Sequence, residues 1–271
     1  MDTHAEKIER ALAYPFDVPS HSYLFAGGRA LSLVTLNEAD VWSSTVLVEG
    51  EVRFLADIMA TRRGGKTALS DLVPILASGS NASPRRLKEK FGALDDAVIP
   101  VLYGTVNHLC PVYSAHITRY GSVSATLQWS DGASSNVCCL FLPPALLDTM
   151  HRSEFVGRNY GYFRLTNGVF RAEEGLTISS PHAYLSLWGC LLLEGAPVRL
   201  AALHSRGASW TALSQRHVMT RVHRLTGPEQ SFDDFILSNI MDDALRLKRI
   251  KYLSSHHAND IDQTHFSRLD R

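Results

Sequence analysis

The sequence has no surplus of either charge: 27 basic residues stand against 27 acidic ones in 271. Nucleic-acid binders ordinarily carry a basic excess or stripe, so no nucleic-acid partner is expected. Long hydrophobic runs are missing too. The best of them, "YLSLWGCLLLEGAPV", is too short and too interrupted to cross a bilayer. The opening "MDTHAEKIERALAY" is charged and has no apolar signal segment. These absences predict a cytoplasmic chain with no membrane partner.

Metal and nucleophile motifs are also absent. The four cysteines, Cys110, Cys138, Cys139 and Cys190, form no C-x-x-C pair, which argues against a zinc or thioredoxin-like site. Cys138 and Cys139 are neighbours in a predicted strand, so their side chains should point to opposite faces as buried thiols. Twelve histidines include no H-x-x-x-H pair on a predicted helix, and no metal site is expected. "GASSN" and "GASWT" lack the closing glycine of a serine-hydrolase elbow. Gly65-Lys66-Thr67 ends like a P-loop, but Ala60 stands where the loop needs its first glycine, so the stretch reads as a basic turn. There is no internal repeat.

What is present is a large apolar fraction, 45% of residues, enough for a well-buried core. Residues 4 to 13 predict a short helix. "SYLFAGGRALSL" predicts a hairpin around Gly27-Gly28, and "NEADVWSSTVLVEGEVRFLADIMA" mixes helix and strand signals. Residues 73 to 77 predict a strand, and 98 to 142 several more, with Asp131-Gly132 as one turn. "PPALLDTMHRSE" predicts a proline-started helix, and "YGYFRLTNGVFRA" a hairpin around Asn167-Gly168. "HAYLSLWGCLLLEGAPVRLAAL" gives further strands. After residue 209 the chain turns helical. "SFDDFILSNIMDDALRLKRIKYL" reads as one helix, with Ser231 and Asp234 at capping-box spacing and a stripe of Phe235, Ile236, Ile240, Leu245 and Leu247. The tail from Ser254 reads as polar and loose. A β-rich middle between helical ends predicts an α+β fold.

Two stretches carry candidate chemistry. In "VPILASGSNASPRRLKEKFG" a strand runs through Ser78, Gly79, Ser80 and Asn81 into a helix, with Ser83 as N-cap, Pro84 in the first turn and Gly92 at the end. The start of a helix leaves N–H groups unpartnered and partially positive, which suits a carboxylate or oxyanion, and Gly79 allows close backbone approach. The second is Glu154, at the end of "ALLDTMHRS" and next to Phe155 and Val156, where partial desolvation would raise its pKa toward proton transfer. Taken singly, these are an ordinary capped helix and a surface glutamate.

Together they resemble a known pattern. "LASGSNASPRRL" is similar to the "YGSN" loop of the γ-glutamylcyclotransferase superfamily. "SATLQWSDGASSNVCCLFLPPALLDTMHRSE" followed by Tyr160 matches the order and spacing of that family's later strands, its "L-D-x-x-E" helix and its following tyrosine. The likeness covers about residues 73 to 165, and the whole chain looks like bacterial proteins that carry this core with additions at both ends. Ser78 replaces the loop tyrosine, His151 the aspartate, and Phe155 the glycine that often follows the glutamate. Tyr103, Tyr113 and Tyr120 are candidates for the missing aromatic wall, and His108 and His116 for assistance.

The resemblance implies a γ-glutamylcyclotransferase-like mixed β-barrel core with surrounding helices. The expected organisation is a single domain over 1–271, with an N-terminal extension 1–70, the core 71–205 and a C-terminal helical extension 206–271. It implies cyclisation of a γ-glutamyl amide or amine to 5-oxoproline and a free amine. Glu154 would be the general acid and base. Ser78, Gly79, Ser80, Asn81 and Tyr160 would bind the small-molecule substrate, with no cofactor. The alternatives are a silent carboxylate-binding module of the same fold, or a related amide hydrolase.

Overall fold

The computed structural model describes residues 2–59, 66–94 and 97–269. The P-loop-like stretch from Ala60 to Gly65 lies outside the described residues.

The fold is α+β, and its centre is one long hairpin. Residues 98 to 142, predicted as several strands, form two, Val98–Ile117 and Val123–Leu142, antiparallel along nearly their whole length. Asp131-Gly132 does not separate two strands. It bulges out opposite His108, where the register jumps from Asn107↔Ser134 to Leu109↔Trp129. A bulge on each side lets the ladder resume beyond the interruption, so the turn signal was local.

Alternation along this hairpin divides the core. Val98, Leu102 and Val106 pack on one face with Trp42, Phe141 and Phe170. Ile99 and Val101 pack on the other with Leu87, Phe91 and Met150 of two helices, Pro84–Phe91 and Leu147–Glu154. Cys138 and Cys139 fall in opposite clusters, as period-two geometry requires. The far end of the hairpin, from Tyr113 to Ala125, packs against the C-terminal helices through Val218, Phe235 and Ile250.

Other strands extend the sheet. Tyr23–Ala26 pairs with Arg29–Thr35 through Gly27 and Gly28, both at positive φ, which the two-residue turn requires. Val73–Ala77 lies antiparallel to the start of the Cys138–Leu142 segment's ladder and parallel to His182–Ser186. The sheet is not a closed barrel: Cys190↔Ser114 is the single register pair that joins strand Cys190–Leu193 to the long hairpin.

Three further expectations fail. Tyr160–Leu165 and Val169–Ala172 do not form a hairpin around Asn167-Gly168. The first pairs with His182–Ser186 and Phe266–Arg268, the second with Gly104–Val106 and Thr177–Ser179. Tertiary pairing overrides the local turn signal. The long C-terminal helix is two, Phe232–Met241 and Asp243–His256, because Asp242 is extended and its Oδ1 accepts from Leu245 N at 2.9 Å, capping the second. The tail beyond it is not loose: Ala258–Asn259 and Phe266–Arg268 both join ladders. No helix among the described residues is long and apolar enough to cross a membrane.

Candidate functional site

The strand Val73–Ala77 delivers the loop Ser78–Asn81 to the far end of the hairpin. Ser80–Ala82 makes a single 3-10 turn, and the helix Pro84–Phe91 follows. Ser83 occupies the N-cap position but makes no capping hydrogen bond; its Oγ is buried without a partner. Gly92 ends the helix as expected, its N–H bonded to Lys88 O at 2.8 Å.

Gly79 is needed for a reason other than ligand approach. A Cβ there would lie 2.2 Å from the Tyr14 hydroxyl and 3.0 Å from Ala125 Cβ. That hydroxyl also accepts from Ala125 N at 2.9 Å. Tyr14, from the N-terminal segment, therefore seats directly on the loop.

The helix Leu147–Glu154 closes with Phe155 in the left-handed region, at φ 50°, and its last residue points Glu154 inward. Its carboxylate meets the loop through a lysine. Lys90 Nζ donates to Glu154 Oε1 at 2.5 Å and to Asn81 Oδ1 at 2.7 Å. Both charges are removed from water, the lysine side chain 3% and the glutamate 13% exposed.

This pairing overturns the expected direction of the Glu154 pKa. Burial pushes the carboxyl up, but the Lys90 charge, its hydrogen bond, Arg86 and Asn81 together outweigh burial and hold it below its ordinary value. Burial also lowers Lys90, against the pull of Glu154. The site holds a carboxylate, locked to an ammonium.

Ser78, Gly79, Ser80, Asn81, Glu154 and Tyr160 all line one cavity of about 280 Å³. Two segments over seventy residues apart in the chain thus face a common space. Tyr160 does not bond to Glu154: its hydroxyl donates to Ala125 O at 3.0 Å, and burial followed by the Glu154 charge raises its pKa.

Of the candidate aromatic replacements for Ser78, only Tyr120 lines the cavity. Tyr103 OH accepts from Asn136, and Tyr113 OH donates to Leu213 O. Tyr14 supplies the second aromatic wall. His116 is also in the wall, where burial and the nearby Arg246, opposed by Glu154, push it down to about 3. It is a neutral imidazole bonded to Ser124 Oγ at 3.0 Å, without the imidazolium proton that a general acid would need at neutral pH. His108 is elsewhere, stacked on Trp129. His151, at the family's aspartate position, bonds to the Tyr184 hydroxyl at 2.9 Å.

Sequence reasoning missed Tyr14, Lys90, Arg86, Arg119, Arg158 and Arg246. Lys90 and Arg86 sit four apart on the short helix Pro84–Phe91, to whose charged residues the sequence assigns no role. Arg246 and Arg249 are buried in their helix together with Ile250 and Leu253, whereas the apolar stripe pointed to Leu245 and Leu247. The four cysteines are free and buried. Among the described residues, no group of His, Cys, Asp and Glu is placed to hold a metal ion.

No family model matches the chain, and no curated protein matches it. Solved structures similar to it include an uncharacterized protein from Homo sapiens, 12% identical with a TM-score of 0.36. They also include a gamma-glutamyl cyclotransferase, 13% identical with a TM-score of 0.34. In each case the likeness covers 70% of this chain and 90% of the other.

Proposed function

We propose that the chain is a γ-glutamylcyclotransferase-like enzyme that closes a γ-glutamyl amide or amine onto itself. One observation carries the reading: Glu154 and the Ser78–Asn81 loop line one cavity and are tied together there by Lys90. The substrate α-amine attacks its own γ-carbonyl carbon. The bond from that carbon to the leaving nitrogen then breaks, giving 5-oxoproline and a free amine with no water consumed. Because the attack is intramolecular, the main task is to hold the substrate folded and to move protons.

Glu154, already ionised, takes the proton from the α-ammonium and returns one to the leaving nitrogen. Backbone N–H groups of Gly79 to Asn81 hold the substrate carboxylate or the oxyanion formed in the attack. Tyr160, Tyr14 and Tyr120 form the walls. Lys90 keeps Glu154 charged, so the incoming ammonium shares the carboxylate with it.

This reading treats residues 1–271 as a single domain whose additions finish the cavity. Tyr14 comes from the segment 1–70, and Asp243 and Arg246 from 206–271. It takes the sheet as a barrel left open at one seam, near Cys190↔Ser114 and the Ala115 N to Gly189 O bond of 3.1 Å. Four buried free thiols fit a reducing cytoplasm.

The silent binding module is the second reading, and the Lys90–Glu154 contact favours it, since Lys90 competes with a substrate ammonium for that carboxylate. Purified protein incubated with a panel of γ-glutamyl amines and dipeptides separates the two. The enzyme reading expects 5-oxoproline from at least one member and a loss of about 10²- to 10⁴-fold in Glu154→Gln, the usual worth of a general acid–base group. Binding without product in both proteins establishes the module instead. Free glutamate would show water as the nucleophile.

A further inference from the structure

The cavity carries more positive charge than cyclisation of a γ-glutamyl group needs. Its wall contains Arg86, Arg119, Arg158 and Arg246 against Glu154 and Asp243. Glu154 is matched by Lys90, and Arg86 shares the one carboxylate of Glu89 with Arg10 and Arg85. Three guanidinium-bearing residues, Arg119, Arg158 and Arg246, then line the cavity with the single carboxylate of Asp243.

That carboxylate is held below its ordinary value by its hydrogen bond from Arg246, then by the Arg246 charge, with Arg119 and Arg158 adding to it. So all three arginines lie within its electrostatic reach. Arg246 is buried and fixed, donating to Asn239 O and to Asp243 Oδ1, both at 2.6 Å. Arg119 lies over the Phe155 ring at 4.5 Å, which orients its planar fork. Neither Arg119 nor Arg158 makes an ion pair among the described residues. His116, being neutral, adds no charge.

We infer that Arg119, Arg158 and Arg246 form a subsite for a phosphate monoester carried on the amine part of the substrate. The γ-glutamyl head is a zwitterion with no net charge, and its two charges are met by the loop and by Glu154. What remains in the wall is an excess of at least two positive charges, Arg119, Arg158 and Arg246 against Asp243. A phosphate monoester carries nearly two negative charges at neutral pH and presents three oxygens, which suits guanidinium forks. A carboxylate would leave one charge unmatched. The cavity volume of about 280 Å³ restricts the amine part to a few heavy atoms beyond the glutamyl group. The glutamyl half of this inference rests on the cyclotransferase reading; the phosphate half does not.

Three ligands of similar length test it: γ-glutamyl-ethanolamine, γ-glutamyl-β-alanine and γ-glutamyl-O-phosphoethanolamine. Calorimetric binding to Glu154→Gln, and 5-oxoproline release by the wild type, are measured for each. The phosphate compound is expected to bind about tenfold more tightly than the carboxylate one, the scale of one charge-assisted contact. That ratio is expected to fall toward one when Arg119→Gln or Arg158→Gln is added. Both arginines are exposed, so melting curves should confirm that the variants fold.

A ratio of one or less before the arginines are changed overturns the subsite. So does a ratio that survives both substitutions. Failure of all three ligands to bind removes the glutamyl half, and O-phosphoethanolamine alone then decides the phosphate half: absence of arginine-dependent binding of that compound overturns the subsite. An arginine-dependent preference for phosphate with no 5-oxoproline from any ligand keeps the subsite and removes the cyclotransferase reading. Turnover of all three with equal KM does the reverse.

Discussion

Two ion pairs in this molecule have nearly the same length and opposite surroundings. Lys90–Glu154 spans 2.5 Å with side chains 3% and 13% exposed; Arg53–Glu51 spans 2.6 Å with side chains 50% and 68% exposed. The second lies two residues apart on one short strand, Glu51–Phe54, in full contact with water. Solvent screening and the entropy of two long side chains leave such a pair little net effect. The first joins two helices and a loop beside the cavity, with Lys90 almost wholly and Glu154 largely withdrawn from water. Geometry alone does not distinguish them. Burial does, and it turns the same contact into a device that fixes the state of a carboxylate.

The comparison breaks most visibly at Lys90. Lys90→Met leaves Glu154 buried without its partner, and loss of about 3–5 kcal/mol of stability is expected, measured by urea denaturation. Adding Glu154→Gln to Lys90→Met should recover part of that loss, because it removes the stranded charge; strict additivity would argue against a coupled pair. A smaller effect is expected from Gly79→Ala, which touches neither charge. It presses a methyl into the Tyr14 hydroxyl and shifts the turn that carries Asn81, so overpacking of about 1–3 kcal/mol should appear in the same assay. Replacing Tyr14 by Phe as well should relieve some of it.

The pH dependence sharpens the contrast further. The folded-state pKa of Glu154 lies below its ordinary 4.5. Its contribution to stability is therefore complete above that value and lost as the pH falls through the lower, folded value. Thermal melts of the wild type from pH 7 to pH 3 should fall more steeply at the acid end than those of Glu154→Gln. The smallest effect belongs to the exposed pair: Arg53→Ala should leave the midpoint within the error of the melt, at any salt concentration.

How much of this was legible in the sequence depends on the range of the forces involved. The loop after Ala77, the proline-started helix before Glu154 and the Gly27-Gly28 turn are local events, and capping and turn chemistry announced them. Asn167-Gly168 announced a hairpin just as clearly, yet the strands on either side pair elsewhere, because partner choice is decided by distant residues. Asp242 broke a helix that periodicity carried straight through.

The site shows the same division. Ser78 to Asn81, Glu154 and Tyr160 could be picked out by spacing and by their likeness to a known motif. Lys90 could not, since a lysine on a charged octapeptide helix looks solvated until a second helix covers it. The sign of the Glu154 shift followed from that omission: burial was foreseen, the buried counter-charge was not. Tyr14 and Arg246 come from the two ends of the chain, and nothing in their local sequence marks them as cavity walls.

A crystal soaked with 5-oxoproline is the most direct test, because it asks whether one ligand engages both halves of the cavity. The expected result is the product seated between the two, its carboxylate on the N–H groups of Gly79 to Asn81 and its ring nitrogen toward Glu154. Product bound outside this cavity, or inside it with Glu154 still held by Lys90 and out of reach, would contradict the account.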